Sequence, residues 1–139
     1  MKRRLFSALA GLGLALASAV PAFAQPATGQ PIKFALCYDL SKAYTFVTPQ
    51  ITQAAKDYAT VLNDKGGREG HPIEIVVQDH GNEPQRGIEC YEKLKREGVM
   101  VFDFLSTPVS RAVLPRIMAD GNILLQSFVG RGDAGRTLP

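Results

Sequence analysis

The 139 residues carry 16 Lys and Arg against 13 Asp and Glu, with two histidines, two cysteines and no tryptophan. That length holds one domain of modest size. The formal +3 makes no case for a nucleic-acid or anionic-membrane partner, because Lys2, Arg3 and Arg4 alone supply the excess and belong to a segment outside the fold.

Met1-Lys2-Arg3-Arg4 is a positive start, Leu5 to Val20 is an apolar run rich in Leu, Ala and Gly, and Ala22-Phe23-Ala24 has the small-x-small form of a signal-peptidase site. Residues 1–24 therefore predict a Sec-type export signal cleaved between Ala24 and Gln25. The apolar run of about 16 residues is short for a membrane span. The residues flanking Arg3-Arg4 do not fit a twin-arginine signal, and no cysteine follows the cleavage site, which argues against a lipid anchor. Removing 24 of 139 residues leaves 115, with 13 basic and 13 acidic side chains.

Gln25 to Pro31 is polar, contains Pro and Gly, and is expected to be a flexible lead-in. Ile32 to Leu40 predicts a strand ending in Asp39 and Ser41. Thr48-Pro49 predicts a capped helix start, followed at three- and four-residue spacing by Ile51, Ala54, Ala55, Tyr58, Val61 and Leu62. Lys65-Gly66-Gly67 stops that helix. Ile73 to Val77 predicts a second strand, ended by Gln78-Asp79-His80-Gly81-Asn82. Pro84 opens a second helix with Ile88, Tyr91 and Leu94 on one face and Cys90 beside them, and Gly98 closes it.

The apolar run from Met100 to Leu105 predicts a third strand that feeds directly into a helix. Thr107 is placed as its N-cap and Pro108 as its first residue, where the missing N–H is no loss. Ala112, Val113, Ile117 and Met118 carry the apolar stripe, Gly121 terminates it, and Ile123 to Gln126 predicts a fourth strand. The order is strand and helix in alternation, and the strands are too apolar for a sheet with one wet face. The fold class predicted is α/β, a doubly wound, mostly parallel sheet with helices on both sides. Cys37 falls in the first strand and Cys90 in the second helix. An oxidising compartment permits a disulfide, and two buried thiols are equally consistent with the sequence.

Ligands in such folds bind beyond the carboxyl ends of the strands. Those ends carry Asp39 and Ser41, then Asp79 and His80, then Ser106, Thr107 and Ser110, then Ser127. The free amides near Val109 to Arg111, backed by the helix dipole, suit a carboxylate or phosphate. Tyr44, after the first strand, offers a flat apolar wall with a polar tip. The sequence has no Gly-x-Ser-x-Gly elbow, no phosphate-binding glycine loop, and no His-x-x-x-His or paired-cysteine metal spacing. No catalytic residue, metal or cofactor is therefore expected. His80 beside Asp79 reads as a loop cap rather than an acid–base pair. Asp39 lacks the second acidic neighbour of phosphoryl-transfer folds, and Asp103, between two phenylalanines, is the odd residue of its strand. Hydroxyls and free amides without a nucleophile and base describe recognition of a small zwitterion or carboxylate.

Several stretches together carry a resemblance. They are Ile32-Lys33-Phe34-Ala35-Leu36 with Asp39-Leu40-Ser41; Leu62 through Gly67 followed by Gly70-His71-Pro72-Ile73; Asp79 through Pro84; the Ser106 to Ser110 turn; and Gly121 through Leu125 with Ser127. In this order the chain resembles the periplasmic substrate-binding proteins of branched-chain amino acid ABC transporters, the leucine/isoleucine/valine type. The resemblance implies two α/β lobes closing on a ligand in the periplasm and delivery to a membrane permease. It implies that hydroxyls and backbone groups hold the ligand's carboxylate and ammonium. By position these are Ser106, Thr107 and Ser110, then Ser127, Phe128 and Val129, with Tyr44 from the first loop.

Ser106-Thr107-Pro108 stands where many members have Gly-Pro and paired serines, which leaves the ligand open among branched-chain or related amino acids, amides and small carboxylates. Family members are far longer. Residues 32–129 are accordingly read as part of the first lobe, residues 130–139 as an irregular tail, and the chain as a truncated form. The alternative within the same fold is a ligand-sensing module for a receptor or regulator. A flavodoxin-like enzyme would need turnover depending on Asp39 or Asp79.

Overall fold

The computed structural model describes residues 26–126, so the predicted export signal, its predicted cleavage site and everything from Ser127 onward lie outside the described residues. Strands and helices alternate as β1 (Ile32–Tyr38), α1 (Thr48–Asp64), β2 (Ile73–Asp79), α2 (Pro84–Arg96), β3 (Val101–Asp103), α3 (Thr107–Asp120) and β4 (Ile123–Leu125). The four strands form one sheet in the order β2-β1-β3-β4, and each neighbouring pair is parallel. β1 opposes β2 from Ile32↔Ile73 to Tyr38↔Asp79 and β3 from Phe34↔Val101 to Leu36↔Asp103. The chain therefore leaves β1 in one direction for β2 and returns on its other side for β3. The gap between the ends of β1 and β3 is the topological switch point, where such sheets open a crevice.

The helices cover both faces, as the doubly wound reading requires. Ala35, Cys37, Phe102 and Phe104 pack with Tyr91 and Leu94 of α2 and with Val109, Val113 and Ile117 of α3. On the opposite face Leu36, Tyr38 and Leu105 pack with Val47, Ile51 and Ala55 at the start of α1. The aromatic rings of the first core are ordered by contact: Tyr91 meets Phe102 edge-on at 4.8 Å, and Phe102 stacks along Phe104 at 6.3 Å. Cys37 and Cys90 form a disulfide across a Cα–Cα distance of 6.5 Å, tying central strand β1 to α2. At the amino side, Gly29 donates to the Gly70 carbonyl at 2.9 Å, and the Gln30 carbonyl lies 2.9 Å from His71 Nδ1.

Several boundaries differ from the local reading. β2 continues through Gln78 and Asp79, because both have parallel partners on β1. β3 is only three residues long. It stops because Asp103 Oδ1 accepts the Leu105 N–H at 3.0 Å and the chain turns there, with Leu105 at φ 46°. The α3 cap is Ser106 rather than Thr107: Ser106 is extended and its side chain accepts from the Val109 N–H, which places Thr107 inside the helix. Thr48 likewise lies inside α1. Its hydroxyl is spent backwards, donating to the Asp39 carbonyl at 2.6 Å with the Tyr44 carbonyl at 3.0 Å. On α1 the buried residues are Thr48, Thr52 and Ala59, while Tyr58 and Val61 stand exposed. Met118 of α3 is also exposed, and Pro115 sits within that helix on its solvent side. Gly121, left-handed at φ 69°, ends α3 as predicted.

Candidate functional site

Three loops meet at the carboxyl ends of the strands. The first, between β1 and α1, is shaped by Asp39. Its Oδ1 accepts from Ser41 N at 3.2 Å and Lys42 N at 2.8 Å, and its Oδ2 from Tyr44 N at 3.0 Å. Burial pushes this carboxyl up, but the backbone N–H groups of residues 41–44 outweigh it and hold it below the usual carboxylate range. Asp79 ties the same loop to β2. It accepts from Leu40 N at 3.0 Å, Ser41 Oγ at 2.8 Å and Gly81 N at 2.8 Å, and Arg86 lies 3.3 Å away. Here too burial raises the carboxyl and the donors lower it further than burial lifts it. Lys42 and Glu83 pair across the two loops at the surface.

His80 is fully buried at the end of the second strand. Its Nδ1 accepts the Asn82 N–H at 2.9 Å, so the ring proton resides on Nε2, which donates to the Phe104 carbonyl at 2.9 Å. Burial lowers its pKa below 6.5 against the raising pull of the Phe104 carbonyl, Asp39 and Asp79. Both ring nitrogens are thus engaged within the fold. The loop-cap reading of His80 beside Asp79 describes what these groups do here, and Asp39 plays the same part in the first loop. Asp103 supports the third loop: its Oδ2 accepts from the Tyr38 hydroxyl at 3.1 Å and its Oδ1 from Leu105 N.

Between the first and third loops lies a cleft of about 240 Å³ lined by Tyr44, Phe46, Val47, Leu105 and Thr107. Its walls are mainly apolar, and none of these side chains is charged. The volume falls just under the roughly 300–1,000 Å³ of drug-sized sites, which suits one small ligand group. It opens at the β1/β3 switch point, beside the first turn of α3. Among the sequence-predicted residues, Tyr44 and Thr107 line the cleft. Ser106 and Ser110 are buried behind it at the base of α3, with Ser106 occupied as the cap and Ser110 N donating to the Ser106 carbonyl at 2.8 Å. Ser127, Phe128 and Val129 lie outside the described residues.

Sequence reasoning missed Phe46, Val47 and Leu105 as lining. The available signal was an apolar pair in a short loop, Phe46-Val47, that no helical period claims. Close helix packing also shapes the site. A Cβ on Gly87 of α2 would lie 2.1 Å from Val109 Cγ1, so this glycine lets α2 approach the first turn of α3.

No cluster of three or more His, Cys, Asp or Glu with metal-holding geometry occurs among the described residues, and no described helix is long and apolar enough to cross a membrane.

A parallel α/β sheet with a cleft at its switch point is an arrangement in which ligands are commonly bound, and comparison with known proteins gives this fold a family. The sequence matches the periplasmic binding protein family over residues 31–137, and the chain belongs to that family. A fatty acid ABC transporter substrate-binding protein from Thermomonospora curvata shares 35% identity, with a TM-score of 0.67 over 73% of this chain and 26% of its own. A possible leucine/isoleucine/valine-binding protein from Rhodopirellula baltica SH 1 superposes at 0.66 with 19% identity, over 82% of this chain and 31% of its own. The solute binding protein of an ABC transporter from Rhodopseudomonas palustris BisB5, in complex with 3,4-dihydroxybenzoic acid, superposes at 0.62 with 20% identity, over 69% and 26%. The last two show the shared fold alone. The chain thus spans between about a quarter and a third of the length of these structures. Comparison with curated proteins gives no match.

Proposed function

We propose that this chain is a solute-binding component of an ABC importer, exported to the periplasm by residues 1–24, that holds a small molecule in the Tyr44–Thr107 cleft and delivers it to a membrane permease. The ligand class is a branched-chain or related amino acid, an amide or a small carboxylate. The observation that carries this reading is the cleft itself. In a chain of the periplasmic binding protein family, an apolar wall of Tyr44, Phe46, Val47 and Leu105 ends at Thr107, the first residue of α3. An apolar ligand body would face the wall, and its carboxylate would face Thr107 at the positive end of α3. The free amides expected near Val109 to Arg111 are not the donors, because Val109 N and Ser110 N are both bonded to Ser106 and Pro108 has no N–H. Ser127, Phe128 and Val129 complete the proposed ligand contacts, with Ser106 and Ser110 shaping the turn from behind. Residues 32–129 would then form part of one lobe.

Chemical-shift mapping on the ¹⁵N-labelled chain lacking residues 1–24 tests this, with millimolar leucine, valine, hexanoate and 3,4-dihydroxybenzoate as probes. We expect saturable shifts at Tyr44, Thr107 and Val109 for at least one probe. Each hydrogen bond in a water-open site contributes only about 0.5–1.5 kcal/mol, so affinity near the millimolar range is expected. Thr107→Val should weaken binding severalfold. Shifts scattered away from the cleft, or none with any probe, would overturn the proposal.

A further inference from the structure

We infer that Asn82 and His80 are positioning residues that lock the ligand-facing turn of α3 through a hydrogen-bond relay from a loop that does not itself line the cleft; this rests on the reading of that turn as the ligand-holding one. The relay begins at the end of β2. His80 is fully buried, and one neutral tautomer satisfies both of its neighbours: Asn82 N–H donates to Nδ1, and Nε2–H donates to the Phe104 carbonyl. Asn82 then turns through a left-handed conformation at φ 57°, which asparagine tolerates better than most residues. That turn brings its Oδ1 within 2.7 Å of Ser106 Oγ, which donates to it.

With its proton committed to Asn82, the Ser106 hydroxyl presents a lone pair to Val109 N–H at a long 3.5 Å, and the Ser106 carbonyl accepts from Ser110 N. The β3–α3 turn is thus pinned at two points, the Phe104 carbonyl and the Ser106 hydroxyl, both from the β2–α2 loop. The pinning falls where it is needed. Sheet pairing of β3 stops at Asp103, and Leu105, held in a left-handed conformation, and Thr107 of the cleft wall lie one residue either side of Ser106. Gly87 adds to this from α2 by admitting Val109 at close range. A hydroxyl cap without Asn82 would be free to rotate, and the first turn of α3, with Thr107 on the cleft wall, would lose the contact that fixes its direction.

The test uses native-state hydrogen exchange on the whole exported chain. Asn82→Gly keeps the left-handed backbone easy while deleting the relay, Asn82→Asp keeps an acceptor oxygen, and Ser106→Ala breaks the relay from the other end. For Asn82→Gly and Ser106→Ala we expect Val109 and Ser110 amides to exchange about five- to tenfold faster, relative to Leu36 and Leu94 as internal references. Asn82→Asp should return most of that protection, and long-range ¹⁵N–¹H spectra of the wild type should place the His80 proton on Nε2.

Equal acceleration at Leu36 and Leu94 would show a general stability loss and overturn the inference. So would unchanged exchange at Val109, a His80 proton on Nδ1, or failure of Asn82→Asp to restore protection. With leucine as probe, shifts at Thr107 that weaken in Asn82→Gly and recover in Asn82→Asp support positioning of the ligand turn, and equal shifts in all variants overturn it. A wild type that ignores every probe overturns the ligand reading of the turn, whereas the exchange pattern decides the relay by itself.

Discussion

Leu105 adopts φ 46°, a left-handed conformation that costs a non-glycine residue roughly 1–2 kcal/mol. It is held there by burial against Leu36 and Tyr38 and by the Asp103 carboxylate that receives its N–H. Asp103 also receives the Tyr38 hydroxyl, whose pKa is pushed up by burial first and then by the charge and hydrogen bond of Asp103. Asp103→Ala would strip two buried donors of this acceptor. At about 1–3 kcal/mol for each unsatisfied buried group, we expect a loss of roughly 2–6 kcal/mol, read as a lower urea midpoint with unchanged slope.

The titration of His80 is a second residue-scale prediction. Its folded pKa lies below the ordinary 6.5, because burial disfavours the charged ring. Below 6.5 the unfolded chain takes up a proton that the folded chain refuses, so stability is complete above that value and declines as pH falls toward the folded pKa. Asp39 and Asp79 have lowered folded values, so their contribution is present above 3.8 and disappears as pH falls through those lower pKa values. Urea midpoints against pH should therefore show two steps on the acid side. The upper one should vanish in His80→Gln while the lower remains.

At the scale of elements, α2 and α3 meet through the absence of a side chain. Gly87 sits within a helix, where replacing glycine by alanine ordinarily gains about 0.5–1 kcal/mol. Here the new methyl would fall 2.1 Å from Val109 Cγ1, and Val109 is fully buried. Overpacking of that kind costs typically 1–3 kcal/mol. The clash outweighs the propensity, and Gly87→Ala is expected to destabilise by about 1–2 kcal/mol in thermal or urea melts. Because Val109 lies in the first turn of α3, its amide resonance should move as well.

For the molecule as a whole, the Cys37–Cys90 disulfide joins positions 53 residues apart, across the core from β1 to α2. Closing a loop of that length removes unfolded-state entropy equivalent to about 4 kcal/mol in the chain-entropy account. Small domains retain only about 5–15 kcal/mol in total. Reduction, or Cys37→Ser with Cys90→Ser, should therefore remove a large share of the stability, and the reduced chain should melt far below the oxidised one. A difference in melting temperature of a degree or less would show that core packing alone holds β1 and α2 together. The chain is of the periplasmic binding protein family, and this dependence agrees with the oxidising compartment proposed for it.

The alternation of strands and helices, their number and the parallel sense of the sheet were legible in the sequence. Apolar runs, helical spacing, and Pro and Gly stops act within a few residues of each other, so local composition suffices to specify them. Of the residues that the strand-end rule named, Thr107 lines the cleft, as does Tyr44, chosen separately as a wall from the loop after the first strand, whereas Asp39, Asp79, His80 and Ser106 are spent on shaping the loops. The rest depended on partners remote in the chain. Whether Ser106 or Thr107 caps α3 is decided together with Asn82, 24 residues away, and the role of Asp103 by Tyr38, 65 residues away. Phe46, Val47 and Leu105 carry no periodic signal, because they face a space that exists only once β1 and β3 lie side by side. Pairing of Cys37 with Cys90 likewise needed α2 laid across β1. Propensity is a property of neighbours along the chain. The cleft, the cap and the disulfide are properties of neighbours across it, and only packing brings those together.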